Sequence, residues 1–208
     1  MSESESLGIL LAGGRSIRFG EPKAGVLYEG RPLAEIALGK LGDVLSRVGV
    51  VAATAGTEPG WRHPATVEVR GDDPQGVGPL GGICAALAWA RDLGAPGILT
   101  LAVDTPLVPS SLLARILHVA EAEGPFAGAV VPRSLGPRGC EPLCAWYGTE
   151  LLGAVRLGIR HGIRAPVHLL ERCAVRWVSL SEVSRFGDPE TVFRNLNRPS
   201  DLPGPVRT

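Results

Sequence analysis

Three stretches of this chain carry residue types whose spacing suits chemistry on phosphates. The first is L-A-G-G-R-S-I-R-F-G-E-P-K, from Leu11 to Lys23. Gly13 and Gly14 let the backbone approach a ligand closely, because they carry no Cβ. Successive backbone N–H groups in such a turn form an anion-binding nest. Arg15, Arg18 and Lys23 add three positive charges within the same thirteen residues. A triphosphate cradle is one reading; a plain glycine-rich turn with solvated arginines is the other. The stretch is neither a P-loop nor a GxGxxG turn, since the spacing fails both patterns and no Ser or Thr follows Lys23.

The second stretch, L-T-L-A-V-D-T-P-L, carries a single carboxylate, Asp104, at the end of an apolar run. Mg²⁺ prefers one or two carboxylates together with phosphate oxygens and water, so Asp104 suits that ion. It equally suits an Asx turn ahead of Pro106. The third stretch, G-V-G-P-L-G-G-I, opens a helix at Gly76 to Ile83 and includes Gly81 and Gly82. Its N-terminal N–H groups either face an anion or pack closely on a sheet. Asp72 and Asp73 stand just upstream, in what reads as a surface turn.

Composition sharpens the list. Lys23 and Lys40 are the only lysines, Asn195 and Asn197 the only asparagines, and Gln75 the only glutamine. In such a chain a lysine or an asparagine is not casual surface filler. Lys40 nevertheless falls inside a helical pattern and is expected to be solvated. Lys+Arg and Asp+Glu both number 21, so the formal net charge is zero. That argues against a broad nucleic-acid or anionic-membrane surface, which needs a basic excess. No apolar run reaches the ~18 residues of a membrane span, and the N-terminus lacks a signal-peptide pattern. Cys84, Cys140, Cys144 and Cys173 form no CxxC pair and read as reduced, half-buried thiols in a cytoplasmic protein.

The elements that must position these groups alternate. Apolar runs at residues 7–11, 48–53, 66–69 and 97–103 read as strands, as do 128–131, 143–147 and 175–180. Helical spacing covers 32–45, 80–90 and 110–122, with Ser110 placed to cap the last. Short helices fill the remainder. No linker splits the chain, so residues 1–208 are expected to form a single domain. Strands alternating with helices imply a Rossmann-like α/β three-layer sandwich with a mostly parallel sheet. Ligands of such sheets sit beyond the carboxyl ends of the strands, where the loops 12–23 and 104–106 both lie.

The first loop resembles the signature of nucleotidyltransferases that act on sugar phosphates and cofactors. With G-P-L-G-G-I, V-D-T-P-L, E-P-L-C-A-W-Y and F-R-N-L-N-R-P-S-D-L in this order, the chain resembles the molybdenum cofactor guanylyltransferases from Leu7 to Leu202. The resemblance implies the nucleotidyltransferase fold and transfer of the guanylyl group of GTP to the phosphate of molybdopterin, with Mg²⁺ as cofactor and pyrophosphate released. It implies that Leu11, Ala12, Gly13 and Gly14 contact the guanine nucleotide, Lys23 its phosphates and Asp104 the Mg²⁺. Asp72, or in a shifted register Asp73, would be a further nucleotide contact. Gly81, Gly82, Glu141, Asn195 and Asn197 match the acceptor side, and Arg18 joins Lys23 and Asp104 in catalysis. Two positions depart from the pattern. The run Val51-Ala52-Ala53-Thr54 offers only the Thr54 hydroxyl where relatives often place an asparagine, and Glu141 stands where some have histidine.

A phosphate monoester oxygen is already ionised near neutral pH, because its second pKa is about 6, so no general base is required. In-line positioning and charge neutralisation then suffice. The partners expected from the resemblance are the two substrates, GTP and molybdopterin, with transient contact to molybdoenzyme apoproteins or other cofactor-biosynthesis proteins. The rivals are a cytidylyltransferase of the same architecture and a non-catalytic protein that binds and delivers the cofactor.

Overall fold

The computed structural model describes residues 5–12, 23–52, 61, 64, 66–122, 128–197 and 199–201. The chain runs through β1 (Leu7–Leu11), a 3-10 turn at Lys23–Gly25, β2 (Leu27–Tyr28), β3 (Arg31–Pro32) and α1 (Leu33–Gly42). It continues with β4 (Val48–Ala52), β5 (Glu68–Gly71), α2 (Pro79–Asp92), β6 (Gly97–Ala102) and α3 (Ser110–Glu121). Then come β7 (Gly128–Pro132), β8 (Ala145–Gly148), α4 (Leu152–Arg160), α5 (Pro166–Leu170) and β9 (Ala174–Val178). Two one-turn helices, α6 (Leu180–Val183) and α7 (Pro189–Val192), precede the last described turn at Pro199–Asp201.

Seven strands form one sheet in the order β5-β4-β1-β6-β8-β7-β9. Only β8 runs against its neighbours β6 and β7; the other pairings are parallel. Every residue of β1 and β6 is buried, as continuous apolar runs in the middle of a covered sheet must be. Alternation splits their side chains between two apolar layers. Leu10, Leu99 and Leu101 face the layer that holds α1 and α3, while Ile9, Leu11 and Ile98 face the layer that holds α2 and α4. The expected three-layer sandwich is therefore present. Among the described residues no helix is long and apolar enough to cross a membrane.

Close packing sets some boundaries. A Cβ at Gly49 would lie 2.2 Å from the Trp89 ring, so α2 rests directly on β4. Gly78, at φ 74°, turns the chain into α2, and Pro79 follows as the first helical residue, where its missing N–H costs nothing. The helix expected over 32–45 stops at Gly42, because Asp43 and Val44 turn the chain toward β4. Ser110 does not cap α3: Pro109 holds that position without a side-chain cap, and the Ser110 hydroxyl donates to Asp43 instead. Three strands sit one or two residues from their expected bounds, at Glu68–Gly71, Ala145–Gly148 and Ala174–Val178.

Candidate active site

Because β1, β4, β5, β6 and β7 all run the same way, the residues that follow them meet at one edge of the sheet. The strand ladder extends past the strands there. Ala12 N donates to Val51 O at 2.9 Å, and Val103 N donates to Leu11 O at 3.3 Å. Leu11 and Ala12 are thus held beside the turn that carries Asp104.

Lys23 joins three parts of the chain. Its Nζ donates to Asp104 Oδ2 at 3.0 Å and to Asn197 Oδ1 at 2.6 Å. The side chains of Lys23 and Asp104 are 18% and 23% exposed, so water screens this pair less than a surface one. The C-terminal segment is stitched to the same point: Leu196 N donates to Asp104 O, and Asn197 N donates to Asp201 Oδ2, each at 2.8 Å. Leu196 is buried, while Asn195 before it is exposed and Asn197 after it is partly buried.

Asp72 lies at the end of β5 with its N–H on Ala52 O at 2.8 Å. It is half-buried while Asp73 is exposed, so of the two it is Asp72 that faces the site edge. Burial pushes its carboxyl up to about 6. Gly81 and Gly82 make this approach possible: a Cβ at Gly82 would stand 3.2 Å from Asp72 Oδ1 and 3.3 Å from Leu11 Cδ2, and one at Gly81 2.6 Å from Pro74 O. Both glycines therefore sit with Asp72 and Leu11, not among the residues that line the neighbouring pocket.

That pocket, of about 400 Å³, opens between the loop after β7 and the C-terminal segment. Ser134, Arg138, Cys140 and Glu141 form one wall; Pro189, Glu190, Phe193 and Asn195 form the other. Burial raises the Glu141 pKa; Ser134 and Arg138 oppose that shift, and the charge of Asp104 adds to it. The Glu141 carboxyl thus feels the charge of Asp104. The Ser134 hydroxyl is buried and has no partner of hydrogen-bonding geometry among the described residues, although it lies near enough to Glu141 to temper its proton affinity. A buried hydroxyl left in that condition is a ready contact for a polar ligand.

Asp104 fits a divalent cation by chemistry. It is a partly open carboxylate at a strand's carboxyl end. Among the described residues no three His, Cys, Asp or Glu side chains gather around a common metal position. One carboxylate with substrate oxygens and water is the donor set that Mg²⁺ accepts. Gly13, Gly14, Arg15, Arg18 and Thr54 lie outside the described residues.

The structure corrects the reading of Lys40. It is not solvated: half-buried in the last turn of α1, it donates to Pro106 O and, at 2.6 Å, to Val108 O. Its burial lowers its pKa, against the raising effects of Cys144 and Asp43. The rarity of lysine in this chain is a signal that could have marked it, but the helical pattern around it outweighed that signal. Ser134, Arg138, Glu190 and Phe193 had no such signal, since a pocket wall drawn from separate turns leaves no spaced motif. Three of the thiols expected to be half-buried, those of Cys84, Cys140 and Cys144, are buried, and all four cysteines are unbridged.

Comparison with known proteins places these features in context. Residues 8–174 match the MobA-like NTP transferase domain. A molybdenum cofactor guanylyltransferase of Cereibacter sphaeroides is 33% identical over 94% of this chain and 92% of its own length. One from Rhizobium meliloti is 31% identical over 93% and 87%. The crystal structure of molybdopterin-guanine dinucleotide biosynthesis protein A from Archaeoglobus fulgidus superposes with a TM-score of 0.77 at 26% identity, covering 94% of each chain.

Proposed function

The chain belongs to the MobA-like NTP transferase family, and from that premise we propose that it transfers the guanylyl group of GTP to the phosphate of molybdopterin. A phosphate oxygen of the acceptor attacks the α-phosphorus of GTP. The bond from that phosphorus to the bridging oxygen breaks, and pyrophosphate leaves.

The observation that carries this reading is the junction at Lys23. One ammonium touches the carboxylate suited to a cation and the asparagine of the C-terminal segment, 3.0 and 2.6 Å away. A two-substrate transfer needs such a point, because donor and acceptor phosphates must meet where charge is neutralised. In this proposal Leu11, Ala12 and Asp72 bind the nucleotide, with Gly13, Gly14, Arg18 and Thr54 completing its site. Lys23 binds the phosphates and balances the charge that builds on the departing pyrophosphate. Asp104 would hold Mg²⁺, which supplies Lewis-acid neutralisation of the phosphate oxygens when bound.

The acceptor takes the pocket of about 400 Å³. Asn195 and Glu141 line it and offer the amide and carboxyl groups that suit the mixed donor and acceptor edge of a pterin. Gly81 and Gly82 serve the acceptor only indirectly, through the turn at Asp72. Four unbridged cysteines fit a reducing compartment, which we take to be the cytoplasm. Delivery of the product to apoenzymes is a transient contact in this scheme.

A thermal-shift panel with GTP, CTP, ATP and UTP tests the donor, since a ligand bound to the native state alone raises apparent stability. GTP should give the largest shift, and only GTP with molybdopterin should release pyrophosphate. A larger shift with CTP would move the chain to the cytidylyl branch. Absence of pyrophosphate release with every triphosphate would make it a binding protein.

A further inference from the structure

We propose that Lys40 is a positioning residue: it fixes the loop that carries Asp104 and thereby sets the affinity of that carboxylate for a divalent cation. The inference rests on the assignment of the cation to Asp104.

The loop 104–109 joins β6 to α3 and belongs to neither. Its own backbone bonds are long: Thr105 N and Val108 N reach Ala102 O and Thr105 O at 3.4 and 3.3 Å, and one side chain, Thr105 Oγ1, donates to Ala102 O at 3.0 Å. Against these stand the charge-assisted bonds from Lys40 Nζ to Pro106 O and Val108 O, the latter 2.6 Å. A bond from an ammonium is shorter and stronger than a neutral one. A second tie runs parallel to it, from Ser110 Oγ to Asp43 Oδ2 at 2.6 Å, so the C-terminal end of α1 grips both the loop and the start of α3. On its other side the loop is held by Leu196 N on Asp104 O. The backbone that carries Asp104 is therefore held between α1 and the C-terminal segment, while Lys23 holds the carboxylate itself.

Removing the ammonium leaves two carbonyls, on the buried residues Pro106 and Val108, without their donor. The loop must then shift to find water, and Asp104 shifts with it. Loss of groups that orient a metal ligand without touching the metal typically weakens binding by 10- to 100-fold.

Lys40→Met keeps the stem and removes the charge and donors; Lys40→Arg keeps both. Free Mn²⁺ would be counted by electron paramagnetic resonance during titration in the presence of GTP, and amide hydrogen exchange followed across 103–109. Lys40→Met should weaken Mn²⁺ binding about tenfold and speed exchange at Val108, and Lys40→Arg should recover most of both. A folded Lys40→Met protein with wild-type Mn²⁺ affinity overturns the proposal, however much its Tm falls. Asp104→Asn is run alongside. If that variant binds Mn²⁺ as the wild type does, the cation assignment fails, and unchanged exchange at Val108 in Lys40→Met then overturns the strap itself. Should Lys40→Met not fold, Lys40→Gln takes its place with the same two readings.

Discussion

Lys23 Nζ stands 2.6 Å from Asn197 Oδ1, although the two residues are 174 positions apart. The same ammonium bonds Asp104, so the turn at Lys23–Gly25, the strand-end carboxylate and the C-terminal segment share one cation. In the proposed reaction a triphosphate that reaches Lys23 would compete with both partners. Substitutions at this point therefore separate into those that disturb charge and those that disturb only the acceptor pocket.

Asp104→Asn keeps the shape of the side chain and its place beside Lys23 while removing the charge. Turnover should fall at least about a hundredfold, as when charge developing in the transition state goes uncompensated. The melting temperature should change little, because the amide oxygen still accepts from Lys23. Near-normal pyrophosphate release by the folded variant would refute the metal role.

The two asparagines should behave differently. Asn197→Asp gives Lys23 a second carboxylate, which holds the ammonium more tightly and repels phosphate. GTP affinity should therefore drop along with transfer. Asn195 is exposed and lines the pocket, and its amide donates to Phe193 O at 3.4 Å. Asn195→Ala should leave GTP affinity and melting temperature unchanged and raise the KM for molybdopterin. Isothermal titration with GTP and steady-state kinetics on both variants check this; equal loss of GTP affinity in the two would dissolve the distinction.

Asp72 makes stability depend on pH in a known direction. Its carboxyl titrates near 3.8 when unfolded and about 6 when folded. Between these values the folded state keeps a proton that the unfolded state has released, so stability falls as pH rises, and the loss persists above pH 6. Asp72→Asn mimics the neutral form. It should match the wild type below about pH 4 and melt at a higher temperature above about pH 6. Glu141, whose pKa is also raised, contributes the same slope to both proteins and cancels in the difference. Melting curves from pH 4 to 8 that stay parallel would contradict this account.

Gly81 and Gly82 should fail differently on gaining a methyl group. At Gly81 the Cβ meets a backbone carbonyl at 2.6 Å, so the chain itself must move. A destabilisation of about 1–3 kcal/mol is expected for Gly81→Ala, as for overpacked interiors. At Gly82 the 3.2 Å neighbour is the Asp72 carboxylate, which can rotate. Gly82→Ala should cost little stability and weaken GTP binding instead. Denaturant unfolding beside a GTP titration on each variant distinguishes the two outcomes.

How much of this was legible beforehand follows from the range of the forces involved. Apolar runs at Leu7–Leu11 and Gly97–Ala102 state their own burial, because a strand covered on both faces needs no partner to be recognised. The carboxyl-end position of Asp104 and the candidacy of Lys23 came with those strands, since short loops keep their residues close to the elements they leave. Their family came from the same ordered motifs. The sequence by itself thus determined the α/β class, the strand-end carboxylate and the lysine that answers it.

What tertiary structure alone decided is every relation that spans elements. Lys40 looked like a solvated helix position because periodicity describes one helix, not the loop another strand delivers against it; only the packed α1 brings Pro106 O and Val108 O within reach. Ser110 was read as a cap on the same local logic, and Asp43 took its hydroxyl instead. The pocket of Ser134, Glu141, Phe193 and Asn195 is likewise a product of the sheet order, which sets β7 beside β8 and leaves the turn after it facing the chain's end. Local propensity acts over a few residues, whereas these contacts form only when distant segments bury their apolar faces together.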